Sequence, residues 1–377
     1  MGKFLEAVLL LSGVIIGAGM FGIPFSFVQA GFWLGVSELV VLSGVVLVMH
    51  LVYGEIVLHT PTFHRMPGYV RIYLGPRAAA AAWGSALFGI VGTLLAYIVI
   101  GGVFLGGIFQ HINIIRISGE LPWRLVLAAF GSVIAFFPLR KEAFVNGLLT
   151  LLLVGLVILL SVALLPGLNP RYLENISVAN AFVPYGVLLF ALSGGVVIPD
   201  VITLLGRSRV KARAAIAVGS LIPAAIYFLF ALAVVGASGG VVSSDAVSGL
   251  APIVGEWAVL VGSVIGFLAV ITSYIGLHGS FQALLRLDLR IPRAAAWGAA
   301  SGIPLAFYLV GFRDFITIIG AVGAVAVGID AALILATHNR LRQSSGAALS
   351  PSAYVFEGSV YALVSAGVAV YLYQLFA

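Results

Sequence analysis

Long apolar runs, separated by short segments that carry charges, proline or glycine, dominate the chain. Membrane barrel strands would alternate polar and apolar residues, and these runs do not alternate. The pattern therefore predicts an all-α integral membrane protein with about eleven transmembrane helices. We number the predicted spans in chain order: 4–30, 33–58, 79–111, 123–138, 144–165, 180–206, 212–236, 253–284, 294–311, 314–337 and 355–376.

The composition supports this assignment. Of the 377 residues, 62% are hydrophobic and 8% are charged, and the mean hydropathy is +1.19. A soluble domain is nearer half apolar and a quarter charged, so soluble enzymes, nucleic-acid-binding proteins and disordered proteins are excluded. The absence of cysteine excludes a disulfide framework and a catalytic thiol. We expect a single transmembrane domain over residues 1–377, without an enzymatic activity.

The basic residues predict the orientation in the membrane. With a cytoplasmic N-terminus, 15 of the 19 lysines and arginines fall in cytoplasmic segments, which agrees with the positive-inside rule. The other four fall outside: Arg116, Arg124, Arg171 and Arg313. The sequence therefore predicts a multi-pass plasma-membrane protein with an extracellular C-terminus. The net charge of +6 is explained by orientation signals and does not require an acidic partner.

Two similar segments lie in spans 1 and 6. Residues 19–24 read Gly-Met-Phe-Gly-Ile-Pro, and residues 194–199 read Gly-Gly-Val-Val-Ile-Pro. The two spans would cross the membrane in opposite directions, which predicts inverted halves, although glycine and proline are common enough in spans for chance matches. Paired spans interrupted by glycine and proline indicate a transporter's binding site.

Four glycines and a proline between positions 13 and 24 predict that span 1 is broken. In lipid each unpaired backbone group costs a few kcal/mol, and a bound zwitterion and a cation would satisfy such groups. Amides after the break suit a carboxylate, namely those of Ala18, Gly19 and Met20. Carbonyls before it suit a cation, namely those of Gly13, Ile15 and Ile16. Close helix packing is the alternative reason for Gly13 and Gly17.

Span 6 follows the same logic. The carbonyls of Phe190 and Ala191 would face an ammonium group, and Ser193 adds a hydroxyl beside Gly194 and Gly195. Neither break contains an acidic or basic residue. Just beyond the break, Asp200 is favoured as a structural ion pair, with Arg207 as a candidate partner, over a role in substrate binding.

Several polar residues inside other spans are further candidates. Adjacent hydroxyls of Thr272 and Ser273 in span 8 would offer two oxygens to a small cation, or would bond back to the preceding helical turn. His278 is either a proton relay or a satisfied packing residue, and Tyr97 is a candidate pocket hydroxyl. The remaining intramembrane ionisable residues are Glu38, His50, Glu55 and Asp330.

These motifs resemble those of a known superfamily. The run Gly17 to Phe27 with Ala30-Gly31 is similar to the first span of amino acid permeases of the amino acid–polyamine–organocation superfamily, closest to its hydroxy/aromatic amino acid permease and amino acid/auxin permease branches. The stretch 184–191 with Pro199-Asp200 and the Thr272-Ser273-Tyr274 motif resemble spans 6 and 8 of the same branches. In those branches the acidic residue after the proline is more often glutamate.

The resemblance implies the leucine-transporter fold, which is a pair of inverted five-helix repeats with broken helices 1 and 6. The repeats would cover about 4–165 and 180–337, and 355–376 would be an extra helix. It also implies that the Ala18 and Gly19 amides hold the substrate carboxylate, that the Phe190 and Ala191 carbonyls hold its ammonium group, and that four residues form a sodium site. With the residues assigned from the breaks and from span 3, the predicted substrate set is Ile15, Gly17, Ala18, Gly19, Met20, Tyr97, Phe190, Ala191, Ser193 and Gly194. The sodium set is Gly13, Ile16, Thr272 and Ser273.

The leading functional hypothesis is a symporter of neutral amino acids. Aromatic or other bulky side chains are expected because small residues line both breaks and because the motifs resemble the hydroxy/aromatic permease branch. No cofactor is expected beyond a coupling ion. Sodium is slightly favoured over protons, since span 5 lacks the lysine found in some proton-coupled relatives. Alternatives left open are a proton-coupled permease, a ligand sensor of the same fold resembling germinant receptors, and a channel. The partners expected are an amino acid and membrane lipid; the sequence does not indicate an oligomeric state.

Overall fold

The computed structural model describes residues 2–112, 119–137, 142–287, 290–344 and 351–376. Within those ranges the chain is helical and contains no strand. A 3-10 turn, Ala18–Gly22, joins α1 to α2, and a π-helical segment, Val322–Val327, joins α14 to α15. The α-helices are α1 Lys3–Ile15, α2 Ile23–Ala30, α3 Phe32–His59, α4 Met66–Leu74, α5 Pro76–Ile112, α6 Leu121–Phe136, α7 Glu142–Leu164, α8 Val183–Leu192, α9 Ile198–Leu204, α10 Arg209–Ser238, α11 Ala251–Val254, α12 Glu256–Leu287, α13 Arg293–Val310, α14 Phe315–Ala321, α15 Gly328–Ser344 and α16 Pro351–Phe376.

Each predicted span coincides with one helix or with consecutive helices. Among the described residues, seven spans are long and apolar enough to cross a membrane, and the bent pair of α1 with α2 makes an eighth. The other three predicted spans fall on α6 and α16, whose described apolar segments are shorter, and on α13, which is less apolar. The multi-pass membrane architecture is therefore confirmed, while the total of eleven crossings stays a prediction.

One helix was not predicted. The short α4 lies in the loop between predicted spans 2 and 3, with Pro67 in its first turn and Gly75, at φ +88°, directly after its last residue. Tyr69 and Val70 are buried, and α4 packs against α5 and α15. The nine residues are too few for a span, which is why a search for long apolar runs passes over them.

The two broken spans lie in the centre of the helical packing. The first half of span 1, α1, contacts α7 and α10, and α8 contacts α3, α14 and the π-helical segment. A β-carbon on Gly323 of that segment would lie 2.6 Å from the Phe190 amide nitrogen, so glycine is required at this crossing. The close approach holds the C-terminal end of α8 in place, where the second break begins.

Candidate functional site

The break in span 1 is a change of direction between two helical pieces. Helix α1 ends at Ile15, residues 16 and 17 leave the helical conformation, and the chain re-enters a helix bent by 46°. The Ile16 amide donates to the Ser12 carbonyl and the Gly17 amide to the Ile15 carbonyl, both at 2.8 Å. The predicted interruption lies at the predicted glycines.

Backbone amides and carbonyls without a backbone hydrogen-bond partner among the described residues lie on both sides of this break. The amides of Ala18 and Gly19 donate to none of the described residues, whereas the Met20 amide donates to the Gly17 carbonyl at 3.4 Å. No described backbone amide donates to the carbonyls of Gly13 or Ile16. Donors thus lie after the break and acceptors before it, in the order that a carboxylate and a cation require.

The break in span 6 has the same construction. Helix α8 ends at Leu192, Ser193 and Gly194 are non-helical, and a 3-10 turn leads into α9. The Ser193 amide donates to the Phe190 carbonyl at 3.3 Å, while no described backbone amide donates to the Ala191 carbonyl. The side chain of Ser193 is exposed.

The two breaks pack directly against each other through their glycines. A β-carbon on Gly19 would lie 2.8 Å from Ala191 Cα and 2.9 Å from Phe190 Cδ1. A β-carbon on Gly194 would lie 2.5 Å from Ile15 Cγ1. Each break therefore uses a glycine to approach a residue of the other, which brings the predicted carboxylate and ammonium ends of the site together.

Tyr227 of α10 contacts both breaks, although the sequence does not predict it as part of the site. Its fully buried hydroxyl lies 2.6 Å from the Ile15 carbonyl oxygen and 2.9 Å from the Ala191 carbonyl oxygen. It thereby contacts one freed carbonyl of each broken span. The available signal was a hydroxyl in the middle of an otherwise apolar stretch of span 7.

His50 of α3 also contacts a break. Its Nε2 accepts a hydrogen bond from the Gly194 amide at 3.3 Å, and its Nδ1 lies 2.9 Å from Ser220 Oγ on α10. Because a backbone amide can only donate, Nε2 is unprotonated and Nδ1 carries the proton towards Ser220. The imidazole satisfies an amide that the break in span 6 leaves free.

We expect His50→Leu to destabilise the protein and to lower transport. The leucine fills a similar volume but leaves the buried Gly194 amide without an acceptor, at a cost of about 1–3 kcal/mol. Thermal unfolding and uptake by the purified variant would measure both effects. His50→Gln offers an amide oxygen in place of Nε2 and should recover part of each loss; equal behaviour of the two variants would contradict the assigned hydrogen bond.

The span 8 hydroxyls behave differently from each other. Ser273 Oγ and the Tyr97 hydroxyl both lie beside Gly17, each 3.7 Å from the position of a β-carbon on that residue. Thr272 Oγ1 instead donates to the Leu268 carbonyl at 2.8 Å within its own helix. The alternative of an intrahelical bond is therefore observed for Thr272, while its lone pairs remain unused by that bond.

Gly13 serves helix packing as well as the break. A β-carbon there would clash with the hydroxyl and the methyl group of Thr150 on α7. The packing explanation of this glycine is thus observed, and its carbonyl remains free of backbone donors among the described residues. The packing role of Gly13 is therefore compatible with the predicted cation site, which stays a prediction.

His278 lies in a complete hydrogen-bond network away from the breaks. Gln282 Nε2 donates to its Nδ1 at 3.0 Å, and its Nε2 donates to Ser301 Oγ at 2.9 Å. Ser301 in turn donates to the Trp297 carbonyl. Gln282 and Ser301 belong to α12 and α13, so the network supports the interpretation of His278 as a satisfied packing residue.

The acidic residues near the predicted cytoplasmic side are paired. Asp200 contacts Arg65 Nη1 at 2.5 Å, so the expected pairing with Arg207 is wrong: Arg207 instead donates to carbonyls at the end of α3. The carbonyls of Val57 and Thr60 receive no backbone hydrogen bond from the described residues, because α3 ends there. They therefore offer acceptors to the Arg207 guanidinium.

Two further acidic residues on the predicted cytoplasmic side also have partners. Glu55 pairs with two arginines of α10, and Ser85 donates to Asp330 at 2.8 Å.

A cavity of about 500 Å³ opens away from the breaks. It is lined by residues of α6, α12 and α13 with the chain flanking them, among them Phe136, Gly279 and Arg293. No residue of either broken span lines it. The cavity therefore does not enlarge the candidate site, whose predicted substrate-binding residues lie in spans 1, 3 and 6.

Comparisons with known proteins agree with this geometry. The model of the tryptophan/tyrosine permease family matches residues 1–366. The crystal structure of MhsT in complex with L-phenylalanine superposes with a TM-score of 0.70 at 15% identity, over 98% of each chain. Mhp1, a nucleobase-cation-symport-1 family transporter in a closed conformation with bromovinylhydantoin bound, superposes with a TM-score of 0.65 at 11% identity, over 100% of this chain and 92% of Mhp1. A search of curated protein sequences gave no match. The fold is the leucine-transporter fold.

Proposed function

The chain belongs to the tryptophan/tyrosine permease family, and we propose that it carries neutral, preferentially aromatic, amino acids across the membrane by cation-coupled symport. It is a membrane transport protein and not an enzyme. The observation that carries the proposal is the junction of the two breaks. The amides of Ala18 and Gly19, which donate to none of the described residues, lie in the break that packs against Ala191, whose carbonyl receives no backbone hydrogen bond from the described residues. Such donors and acceptors are complementary to the two charges of an α-amino acid.

Three features support an aromatic side chain. The breaks are lined by small residues, so they leave volume for a large substrate. Phe21, directly beyond the first break, packs against Phe104 at 4.7 Å and Phe230 at 6.0 Å between ring centroids, and such rings favour a further aromatic group. MhsT, which shares the fold, was crystallised with L-phenylalanine.

We expect purified protein in proteoliposomes to take up tryptophan, tyrosine or phenylalanine, with weak competition from lysine and glutamate. Neither break contains a charged side chain that would pair with theirs, and an unpaired charge in such a site is costly. Competition against radiolabelled tryptophan by the twenty amino acids would rank them. Inhibition by lysine or glutamate as strong as that by phenylalanine would contradict the proposed specificity.

For the coupling ion we propose sodium, bound by the carbonyls of Gly13 and Ile16 with the hydroxyls of Thr272 and Ser273. The two carbonyls lack backbone donors among the described residues, and Ser273 Oγ faces the break next to Gly17. Thr272 uses its proton within the helix and keeps lone pairs for a cation. Hard oxygen ligands of this kind suit sodium.

For the orientation we propose a cytoplasmic N-terminus and an extracellular C-terminus in the plasma membrane, from the distribution of basic residues. Membrane-impermeant labelling of a short tag should then mark the C-terminus in intact cells and the N-terminus only after permeabilisation. Labelling of both ends from the same side would contradict an odd number of crossings.

A further inference from the structure

The Tyr227 hydroxyl contacts two carbonyl oxygens but has only one proton to give. It lies 2.6 Å from the Ile15 oxygen and 2.9 Å from the Ala191 oxygen. The Ile15 oxygen also accepts from the Gly17 amide, whereas no described backbone amide donates to the Ala191 oxygen. When the phenol proton lies on the shorter contact, two oxygens face each other at 2.9 Å with no proton between them.

This junction suits a ligand that brings several N–H donors and a positive charge. Three oxygens with partial negative charge converge from α1, α8 and α10 in a buried site, where electrostatic interactions are strong. A primary ammonium group can donate to the Ala191 oxygen and to the phenol oxygen at once, while the phenol keeps its proton on Ile15. The two breaks contain no acidic residue that would otherwise balance such a charge.

We propose that Tyr227 is a substrate-binding residue whose hydroxyl oxygen accepts a hydrogen bond from the α-ammonium group of the transported amino acid. The inference rests on the proposed function and extends the site to span 7, from which the sequence had assigned no residue. The free amides of Ala18 and Gly19 lie on the adjacent break and would take the carboxylate of the same ligand. The same hydroxyl also links the two broken spans to each other.

The test compares two ligands that differ only in the amino group, using the full-length protein. Equilibrium binding of L-tryptophan and of indole-3-propionate, which lacks the amine, is measured for the wild type and for Tyr227→Phe. Because a hydrogen bond to a charged group is lost, the Kd for tryptophan should rise about tenfold or more, and that for indole-3-propionate should change less than about twofold. A role limited to folding would shift both ligands by the same factor.

Tyr185→Phe is the matched control. The Tyr185 hydroxyl is also buried and donates to a carbonyl, that of Val364 on α16, but it lies outside both breaks. This variant should leave the Kd of both ligands unchanged. A second measurement needs no variant: N,N-dimethyl-L-tryptophan keeps one N–H and cannot donate to both oxygens, so it should bind the wild type about tenfold or more weakly than tryptophan.

Two results would overturn the inference. One is an unchanged or lower Kd for tryptophan in Tyr227→Phe; the other is an equal change for both ligands. If the wild type binds and transports tryptophan in either case, only the substrate-binding role of Tyr227 is contradicted and the proposed function is retained. Failure of the wild type to bind tryptophan at all would contradict both the proposed function and the role of Tyr227.

Discussion

Gly19→Val is expected to reduce amino acid uptake to background while the protein still inserts into the membrane. The new β-carbon would lie 2.8 Å from Ala191 Cα, which is backbone and cannot turn away as a side chain tip would. Overpacking of this kind costs about 1–3 kcal/mol. It separates the two breaks and shields the free amides that the substrate carboxylate requires. Uptake of radiolabelled tryptophan into proteoliposomes measures the loss.

The control for this variant is Gly44→Val. Gly44 also lies inside a spanning helix, α3, but a β-carbon there meets no atom within 4 Å. Insertion and uptake should stay near those of the wild type. Gly19→Val protein that is folded and transports normally would remove the first break from the substrate site.

The double variant Thr272→Ala with Ser273→Ala should raise the sodium concentration for half-maximal uptake about tenfold or more. It removes both hydroxyl ligands, and a loss of about 0.7 kcal/mol of binding free energy for each ligand already corresponds to a tenfold change. Substrate and ion share span 1, so their binding is thermodynamically linked. Tryptophan affinity without sodium should therefore change little, and the sodium-dependent increase in affinity should shrink. Binding titrations at several sodium concentrations separate the two quantities.

The variant His278→Gln distinguishes sodium coupling from proton coupling. His278 lies in its own network with Gln282 and Ser301, so this variant should keep the sodium dependence of the wild type. Uptake driven by a pH gradient alone, indifferent to sodium and lost in His278→Gln, would instead establish the proton-coupled alternative and reject the sodium site.

The sequence predicted the parts of the site that depend on backbone composition. Glycines and a proline weaken a helix wherever they occur, so the interruptions at Gly17 and Gly194 follow from local sequence. The same holds for the spans themselves, because apolar length is a property of one segment. These features required no knowledge of which helices are neighbours.

The side chains that complete the breaks could not be found in this way. Tyr227 and His50 matter because α10 and α3 place them against residues far away in sequence. The sequence indicates the wrong partner for Asp200 for the same reason, because Arg207 is near Asp200 in sequence while Arg65 is near it in space. Tertiary proximity decides each of these contacts, and local patterns carry little information about it.

Solute counterflow tests the central claim, alternating access at the junction of the two breaks, most directly. Proteoliposomes loaded with unlabelled tryptophan are diluted into a trace of labelled tryptophan without any ion gradient. We predict a transient accumulation of label above the external concentration, which should disappear in Gly19→Val and persist in Gly44→Val. Label that binds without entering would indicate a ligand sensor, and entry that only equilibrates would indicate a channel; either result would contradict the account.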